Sequence, residues 1–266
     1  MKRLVISAFC LTFSLGGYAQ ETQTDTLKAA TDTVKNHKVN KVVIEFGGWE
    51  HGRKSKKSVN GFSSQFTFSR VDLGLSTYLD QGSYNLSSEN SYLDHDTWRS
   101  SNFGFDFFQM GYRFNKNFKV YLSSGLDWNH IRLNRDITFQ RNKPLDQFVT
   151  EDVHFEKNRF SSQYLRIPLS FQLRSNLDHK GKRMYFVFGP EVGLLLNGKI
   201  KQVSDERGKE KFKGKYNFEP FRYGTFVRMG YGGMGVFAKY YFNDVFVEDR
   251  GPKDFKNLSF GFMFGF

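Results

Sequence analysis

The feature that most constrains this chain is a strict alternation of apolar and polar residues over segments of roughly 9–11 residues. Segment 164–174 shows it most clearly, with Leu165, Ile167, Leu169, Phe171 and Leu173 on one face. The last nine residues, LSFGFMFGF, repeat the pattern with a large apolar residue at every second position. A period of two is that of an extended strand. The sequence therefore predicts β-strands that each carry one apolar and one polar face.

The polar faces of these segments distinguish a membrane barrel from a soluble sheet. In a soluble sandwich the outer face takes Lys, Glu and Thr freely. Here that face is rich in Gly, Tyr, Ser and Arg, in a chain with 25 Gly, 13 Tyr and 31 Phe. Small and polar residues suit an enclosed lumen, and the nearly continuous apolar face suits lipid. The sequence predicts an all-β fold, a transmembrane antiparallel β-barrel, with a soluble β-barrel or sandwich as the alternative.

The N-terminal region has the pattern of an export signal. A short basic start precedes an apolar run that is too short to span a bilayer, and small residues follow near position 19. We expect a secretory signal peptide at 1–19, a disordered polar linker (or a recognition tail) at 20–40 and the barrel at 41–266. The only cysteine, Cys10, lies within the signal. The exported chain would then contain no disulfide and no thiolate metal site.

The connections between strands set the strand count. Short connections near 115–117, 176–182 and 230–233 alternate with long polar ones at 80–98, 134–157, 199–217 and 243–254. The predicted strands are 103–114, 118–131, 160–174, 184–197, 220–230, 234–242 and 256–266. Two further candidates lie upstream, at 39–49 and 66–79. Bacterial barrels have an even number of strands, so we predict eight, with ten as the alternative. A change of phase near Phe107 and Phe108 indicates a bulge.

Several segments together resemble one family. They are RVDLGLSTYL at 70–79, the hairpin at 114–129, YLRIPLSF at 164–171, the segment 220–240 and the Phe-terminated last strand. In this order and spacing the chain resembles the PorT-like outer-membrane β-barrel proteins of Gram-negative bacteria. The resemblance implies location in the outer membrane after export. It also implies insertion by the barrel-assembly machinery, which reads a C-terminal aromatic, here Phe264 and Phe266. It implies no settled activity, although a minority of such proteins are tied to protein secretion.

No residue pattern points to a catalytic or metal site. The six histidines show neither HxH nor HExxH spacing. His130 lies three residues from Asp127, but alternation places the two side chains on opposite faces. A Ser–His pair at the rim stays open as a lipid-modifying alternative. We expect no cofactor and no metal, and an exported protein with basic loops does not favour nucleic acid despite a formal charge of +12.

Charged residues on the inner faces predict a network inside the barrel. Its expected members are Asp127, Arg166, Arg174, Glu191, Arg222, Arg228 and Lys239, with Asp72 as a further acid. Such a set either lines an anion-preferring pore or fills the lumen with charge-assisted hydrogen bonds. An eight-stranded barrel is only wide enough for its own side chains. We therefore favour a filled lumen over a pore.

Two connections are strongly basic, at 51–59 and 199–215. By the strand count both lie outside the cell, where they are either attracted to the phosphates of lipopolysaccharide or are ordinary solvated loops. Outer-membrane lipid, lipopolysaccharide and other envelope or secretion proteins are the expected partners. The predicted role is structural, interaction-based or associated with secretion or transport. A narrow solute channel and a rim-site enzyme are the alternatives.

Overall fold

The alternating segments form strands in the computed structural model, which describes residues 44–46 and 61–265, with 44–46 and 67–69 as backbone only. The strands are β1 (Ile44–Phe46), β2 (Gly61–Asp80), β3 (His95–Arg113), β4 (Phe118–Leu133), β5 (Ile137–Thr138), β6 (Val149–Thr150), β7 (Lys157–Arg174), β8 (Met184–Ser204), β9 (Gly208–Lys213), β10 (Phe221–Tyr231), β11 (Met234–Tyr241) and β12 (Phe255–Phe264). One 3₁₀ turn, Ser91–Leu93, precedes β3. Within the described ranges no helix is long and apolar enough to cross a membrane.

Eight of these strands close into an antiparallel barrel, as predicted. Their order is β2, β12, β11, β10, β8, β7, β4 and β3, and β2 pairs with both β12 and β3. The closing pair runs from Val71 opposite Phe264 to Asp80 opposite Phe255. Because the sheet closes on itself, the backbone groups of the eight strands pair within the barrel wall, which the apolar core of a membrane requires.

The upstream candidate at 66–79 supplies the eighth strand, within β2. The other candidate, 39–49, contains β1, whose three residues pair in parallel with Ser64, Gln65 and Phe66 of β2. It adds a short segment to one edge of β2 and does not enter the closed ring. The expected signal peptide, the polar linker and the basic connection at 51–59 lie outside the described residues.

The two faces of the wall differ as the alternation predicts. Large apolar side chains remain exposed around the outside, among them Leu122, Leu169, Phe188, Val227 and Phe262. Polar and charged side chains point inward and are buried. In the last strand, Phe260, Phe262 and Phe264 face outward while Ser259 and Met263 are fully buried. The outer apolar surface is that of a barrel surrounded by lipid hydrocarbon.

Glycine makes the close approach of β2 and β12 possible. Gly74 and Gly261 are direct cross-strand partners on the inner face. A Cβ atom on Gly261 would lie 2.3 Å from the Cα of Gly74, and one on Gly74 would lie 2.9 Å from the ring of Phe237. The absence of a side chain on both residues lets an aromatic ring occupy the lumen beside the seam.

Short and long connections lie at opposite ends of the barrel. We call these the short-turn end, with the connections after β3, β7 and β10, and the long-loop end. The long-loop end is more ordered than the sequence predicts, because β8 extends to Ser204 and forms a hairpin with β9 (Gly208–Lys213) in place of the expected loop at 199–217. The register also shifts between Asp106 and Phe108, at the predicted phase change.

Candidate functional site

The middle of the barrel holds a layer of buried charged side chains. It consists of Arg70, Asp72, Asp106, Asp127, Arg166, Arg222, Arg228 and Lys239, all at most 7% exposed. We call it the luminal charge layer. Its members come from six of the eight barrel strands, because inward positions of different strands meet at the same height in the lumen. The layer is therefore a product of barrel closure.

Arg166 occupies the centre of this layer and contacts three carboxylates. Its Nη1 donates a hydrogen bond of 2.6 Å to Oδ2 of Asp72. Its Nε and Nη2 lie 3.0 and 2.8 Å from Oδ1 of Asp106. Its Nη1 also lies 3.7 Å from Oδ1 of Asp127. The planar guanidinium suits this role because its donors point in several fixed directions at once.

The remaining cations bind the same carboxylates from other strands. Arg222 donates to Oδ2 of Asp127 at 2.6 Å, and Arg228 donates to Oδ2 of Asp72 at 3.2 Å. Lys239 Nζ lies 2.9 Å from Asp127 and 3.1 Å from Asp72. Each of these aspartates therefore accepts from several cations, and β2, β4, β7, β10 and β11 are tied together through ion pairs. Breaking one contact would leave a buried charge incompletely compensated.

Aromatic rings fill the space around these cations. The guanidinium of Arg222 lies 3.9 Å from the centroid of the Tyr164 ring and 4.0 Å from that of Tyr241. Tyr241 in turn donates a hydrogen bond of 2.5 Å to Glu191. The electron-rich faces of the rings attract the cation, and the rings occupy space that water would otherwise fill. Charged and aromatic side chains are therefore packed together around Arg222.

A buried apolar cluster lies towards each end of the lumen. Towards the short-turn end the cluster consists of Tyr121, Tyr185, Val187, Phe226, Phe237 and Met263. The long-loop end carries a larger cluster, which includes Tyr78, Leu93, Phe139, Phe160, Tyr216, Phe218, Phe246 and Phe255. Between that cluster and the luminal charge layer, a cavity of about 20 Å³ beside Asn129 and Arg222 has room for roughly one water molecule.

The structure brings together most of the residues that the sequence singles out for the lumen. Arg166, Arg222 and Lys239 all lie within 4.0 Å of Asp127, and Arg228 joins the luminal charge layer through Asp72. Glu191 is buried on the inner face but reaches the layer through Tyr241.

Arg174 departs from the expectation. It is the last residue of β7, at the short-turn end, where it donates to Oε1 of Gln172 at 3.0 Å. Alternation alone places Arg174 on the inner face, but it gives no height along the barrel. Its position at the strand end keeps it away from the luminal charge layer.

Two members of the luminal charge layer escaped the sequence analysis. Arg70 and Asp106 are in an ion pair of 3.0 Å, and both are buried. Both lie next to register shifts, between Phe66 and Arg70 and between Asp106 and Phe108. Asp106 lies on the opposite face of the strand from Phe103 and Phe105. Alternation with these two apolar residues therefore could have predicted that the Asp106 carboxylate points inward.

The histidines do not form a metal site in the described part of the chain, where no group of three or more His, Cys, Asp or Glu is arranged to hold an ion. His95 is held by contacts of 3.0 Å to Thr77 Oγ1 and 3.2 Å to the Tyr78 amide. His130 Nδ1 lies 2.9 Å from Ser161 Oγ on the outer face. A Ser–His contact is one part of a hydrolytic site, but Asp127, the nearby acid, faces the lumen.

The predicted C-terminal insertion signal is described in part. Phe264 is on the outer face, 39% exposed, and pairs with Val71 and Met234. Phe266 lies outside the described residues. An outward aromatic at the short-turn rim is in the position of the aromatic girdles of membrane barrels.

A match to a family profile agrees with this architecture. A family profile described as "Outer membrane protein beta-barrel domain" matches residues 64–246. The crystal structure of Ail, the attachment invasion locus protein of Yersinia pestis, aligns over 79% of this chain and 100% of Ail, with 14% identity and a TM-score of 0.32. No curated protein matches the sequence. The profile spans most of the barrel, and the chain therefore belongs to the family of outer membrane protein beta-barrel domains.

Proposed function

We propose that this protein is a closed, non-conducting outer-membrane barrel that acts through its outer surface and its long-loop end. Its role is then structural, interaction-based or associated with secretion in the cell envelope. The observation that carries the proposal is the lumen, in which ion pairs across the luminal charge layer are enclosed between two apolar clusters.

The energetics of the lumen support a filled barrel over a channel. An ion that enters the luminal charge layer must separate buried pairs such as Arg166–Asp72, at 2.6 Å, or Arg222–Asp127, also at 2.6 Å. Separation leaves uncompensated charge in a poorly solvated space, at a cost of several kcal/mol. The buried aromatic clusters towards the two ends add apolar surface that a hydrated ion would have to pass.

Conductance in planar lipid bilayers tests this function. The purified, refolded barrel should give no steady open current, whereas a porin in the same bilayers gives stepwise conductance. Folding of the sample is verified by its faster electrophoretic migration before heating. Reproducible single-channel steps from the folded protein would contradict the proposal and favour a narrow solute channel.

The finer assignment follows the resemblance to PorT-like proteins. We propose that the long-loop end faces outside the cell, as expected when long loops are extracellular and turns periplasmic. Lipopolysaccharide would then surround that rim, and other envelope or secretion proteins would bind at the long-loop end.

The barrel-assembly machinery would read Phe264 and Phe266 during insertion after signal-peptide export. Replacing both with Ala should reduce the amount of folded protein in the outer membrane.

A lipid-modifying enzyme is the second candidate, favoured by the 2.9 Å contact between His130 and Ser161 near the rim. Within the described residues, no carboxylate contacts His130 to orient it, so this site lacks one part of a complete triad. The test of this enzyme activity is the Ser161→Ala variant. The envelope lipids of cells that carry this variant are compared with those of cells that carry the wild type. We expect identical lipid profiles, and a missing deacylated species in the variant would favour the enzyme.

A further inference from the structure

A band of cations crosses four neighbouring strands on the outer face of the barrel. Arg132 of β4 pairs with Arg159 of β7, which pairs with Lys201 of β8, which pairs with Lys211 of β9. Direct cross-strand partners share one face, so these four side chains form a row. Lys199 and Lys213 are paired in the next row towards the membrane. We call the following group the exterior basic patch: Arg132, Lys157, Arg159, Lys199, Lys201, Lys209, Lys211 and Lys213.

The exterior basic patch has no ion pair of its own, because Asp96, which lies opposite Arg132 in the sheet, binds Arg99 at 3.3 Å. In the described ranges, none of its eight members is within 4.0 Å of a carboxylate. Nε of Arg159 is buried and without a hydrogen-bond partner there. Like charges directly opposite each other destabilise a sheet, so the arrangement calls for an external anion.

The rest of the long-loop end has a different charge arrangement. In the connection between β11 and β12, Asp244 and Asp254 both bind Lys256, at 2.7 and 2.9 Å. Asp249 binds Lys253 at 3.5 Å. Lys253 and Lys256 are therefore paired within the protein. Arg250 of the same connection donates to a backbone carbonyl instead. Cations that lie directly opposite one another are found on the side formed by β4, β7, β8 and β9.

The height of the exterior basic patch matches that of lipid headgroups. Along β4, the outward positions below Arg132 are His130, then Trp128, then Leu126. Leu126 belongs to an apolar row with Leu165 and Leu194. Each outward step is roughly 7 Å along the strand. Trp128 is in the position of an interfacial aromatic, so the basic rows begin where hydrocarbon gives way to headgroups.

We propose that the exterior basic patch binds the phosphate groups of the lipid A headgroup of lipopolysaccharide. The inference rests on the proposed function, in which the long-loop end faces the outer leaflet. The headgroup carries negative charge on a lipid whose acyl chains would pack against the apolar row below. Arg132 and Arg159 offer planar donors to phosphate oxygens, while the lysines supply mobile charge. A soluble anion would gain nothing from the adjacent apolar row.

Binding of defined lipid probes to the refolded full-length barrel tests the site. The probes are bis-phosphorylated lipid A, the same lipid without phosphates, and inorganic pyrophosphate, each counted on the protein by native mass spectrometry. The test variant is Lys199→Gln, Lys201→Gln and Lys211→Gln together. The matched control, Lys116→Gln, Lys143→Gln and Lys180→Gln, removes the same charge from exposed positions outside the patch. The corresponding triple Arg variant keeps the charge.

We expect the test variant to bind phosphorylated lipid A at least about tenfold more weakly than the wild type. The control and the Arg variant should bind as the wild type does, and lipid A without phosphates should bind weakly to all. Without lipid, the test variant should be as stable as the wild type or more so, because repulsion has been removed.

The proposal would be overturned if the test variant bound phosphorylated lipid A as tightly as the wild type does. It would also be overturned if the wild type bound lipid A without phosphates as tightly as the phosphorylated form. Pyrophosphate that binds as tightly as lipid A would also overturn it, in favour of a soluble ligand.

A separate experiment tests the orientation on which the inference rests. Asp205 is exposed at the tip of the β8–β9 hairpin, and the chain has one natural cysteine, Cys10, in the expected signal. Asp205→Cys should react with a membrane-impermeant maleimide on intact cells. No labelling would contradict the orientation in the proposed function, whereas binding to defined lipids reports on the exterior basic patch itself.

Discussion

At the scale of single residues, Arg166 contributes most to the organisation of the lumen. It is fully buried and contacts Asp72 and Asp106, with Asp127 also within 4.0 Å. A lysine would supply one point charge, whereas the guanidinium reaches carboxylates on β2, β3 and β4 at once. Its own strand, β7, lies on the far side of β4 from β3, so the contacts cross the lumen. Arg166 therefore links strands that are not neighbours in the wall.

Replacement of Arg166 by Met should strongly destabilise the barrel. The change leaves the carboxylates of Asp72 and Asp106 without their closest cation, and we expect the free energy of unfolding to fall by about 3–5 kcal/mol. Urea unfolding in lipid vesicles, followed by tryptophan fluorescence, measures it. Arg174→Met is the matched control, because it removes the same charge outside the luminal charge layer, and it should cost less than about 1 kcal/mol. Equal losses in the two variants would contradict this account.

At the scale of elements, each barrel strand serves two environments. Val227 in β10 is 44% exposed on the outer face, while its neighbours Phe226 and Arg228 are 1% exposed on the inner face. The same strand therefore contributes to the lipid-facing surface, to an apolar cluster and to the luminal charge layer. A shift of register by one residue would exchange these faces, so the alternation fixes the pairing.

A charge introduced on the outer face of a strand should be costly in lipid. Val227 is in the middle of β10, between Phe188 of β8 and Ala238 of β11. We expect Val227→Arg to reduce the free energy of unfolding in vesicles by about 2–4 kcal/mol, the cost of an arginine near the bilayer midplane.

Leu177→Arg provides the comparison for Val227→Arg. Leu177 is 57% exposed and belongs to the connection between β7 and β8 at the short-turn end. The added charge there can reach water, so the expected change in the free energy of unfolding is below about 0.5 kcal/mol. A similar loss in both variants would mean that the outer face of β10 is not in contact with hydrocarbon.

At the scale of the whole molecule, the barrel is layered along its axis. An apolar cluster lies towards the short-turn end, the luminal charge layer follows, and a larger apolar cluster lies at the long-loop end. Around the circumference, the exterior basic patch occupies one side only. The interior is thus suited to stability, and the features available to partners are on the outside.

The closed ring should fold without the expected polar linker. All eight barrel strands lie between Gly61 and Phe264, and their ring is complete without β1. Deletion of 20–40 should therefore leave the free energy of unfolding in vesicles unchanged within about 0.5 kcal/mol. Removal of the signal peptide verifies that the deletion variant is exported. A fall in its free energy of unfolding by more than about 2 kcal/mol would then show that the segment is part of the folded unit.

Much of the fold was predictable because the strands of a closed barrel alternate apolar and polar residues, and this period of two is clear in the sequence. The faces of β7 and β12 follow from Leu165 and Phe262 by alternation alone, and the even-number rule selected eight strands. The extent of β8 and the β8–β9 hairpin were not predicted. Lysine-rich polar sequence is typical of loops, and only the cross-strand pairing of Ile200 with Phe212 reveals a sheet there.

The sequence by itself determined which side chains point inward and that the outer surface is apolar, because alternation depends only on local backbone geometry. The tertiary structure decided which inward residues meet. Arg166 joins Asp106 across 60 positions, and Arg228 joins Asp72 across 156, whereas Arg174 joins neither. Height in the lumen depends on register around the closed wall, a property of all eight strands together. The same is true of the row from Arg132 to Lys211, whose members become neighbours only through three successive strand pairings.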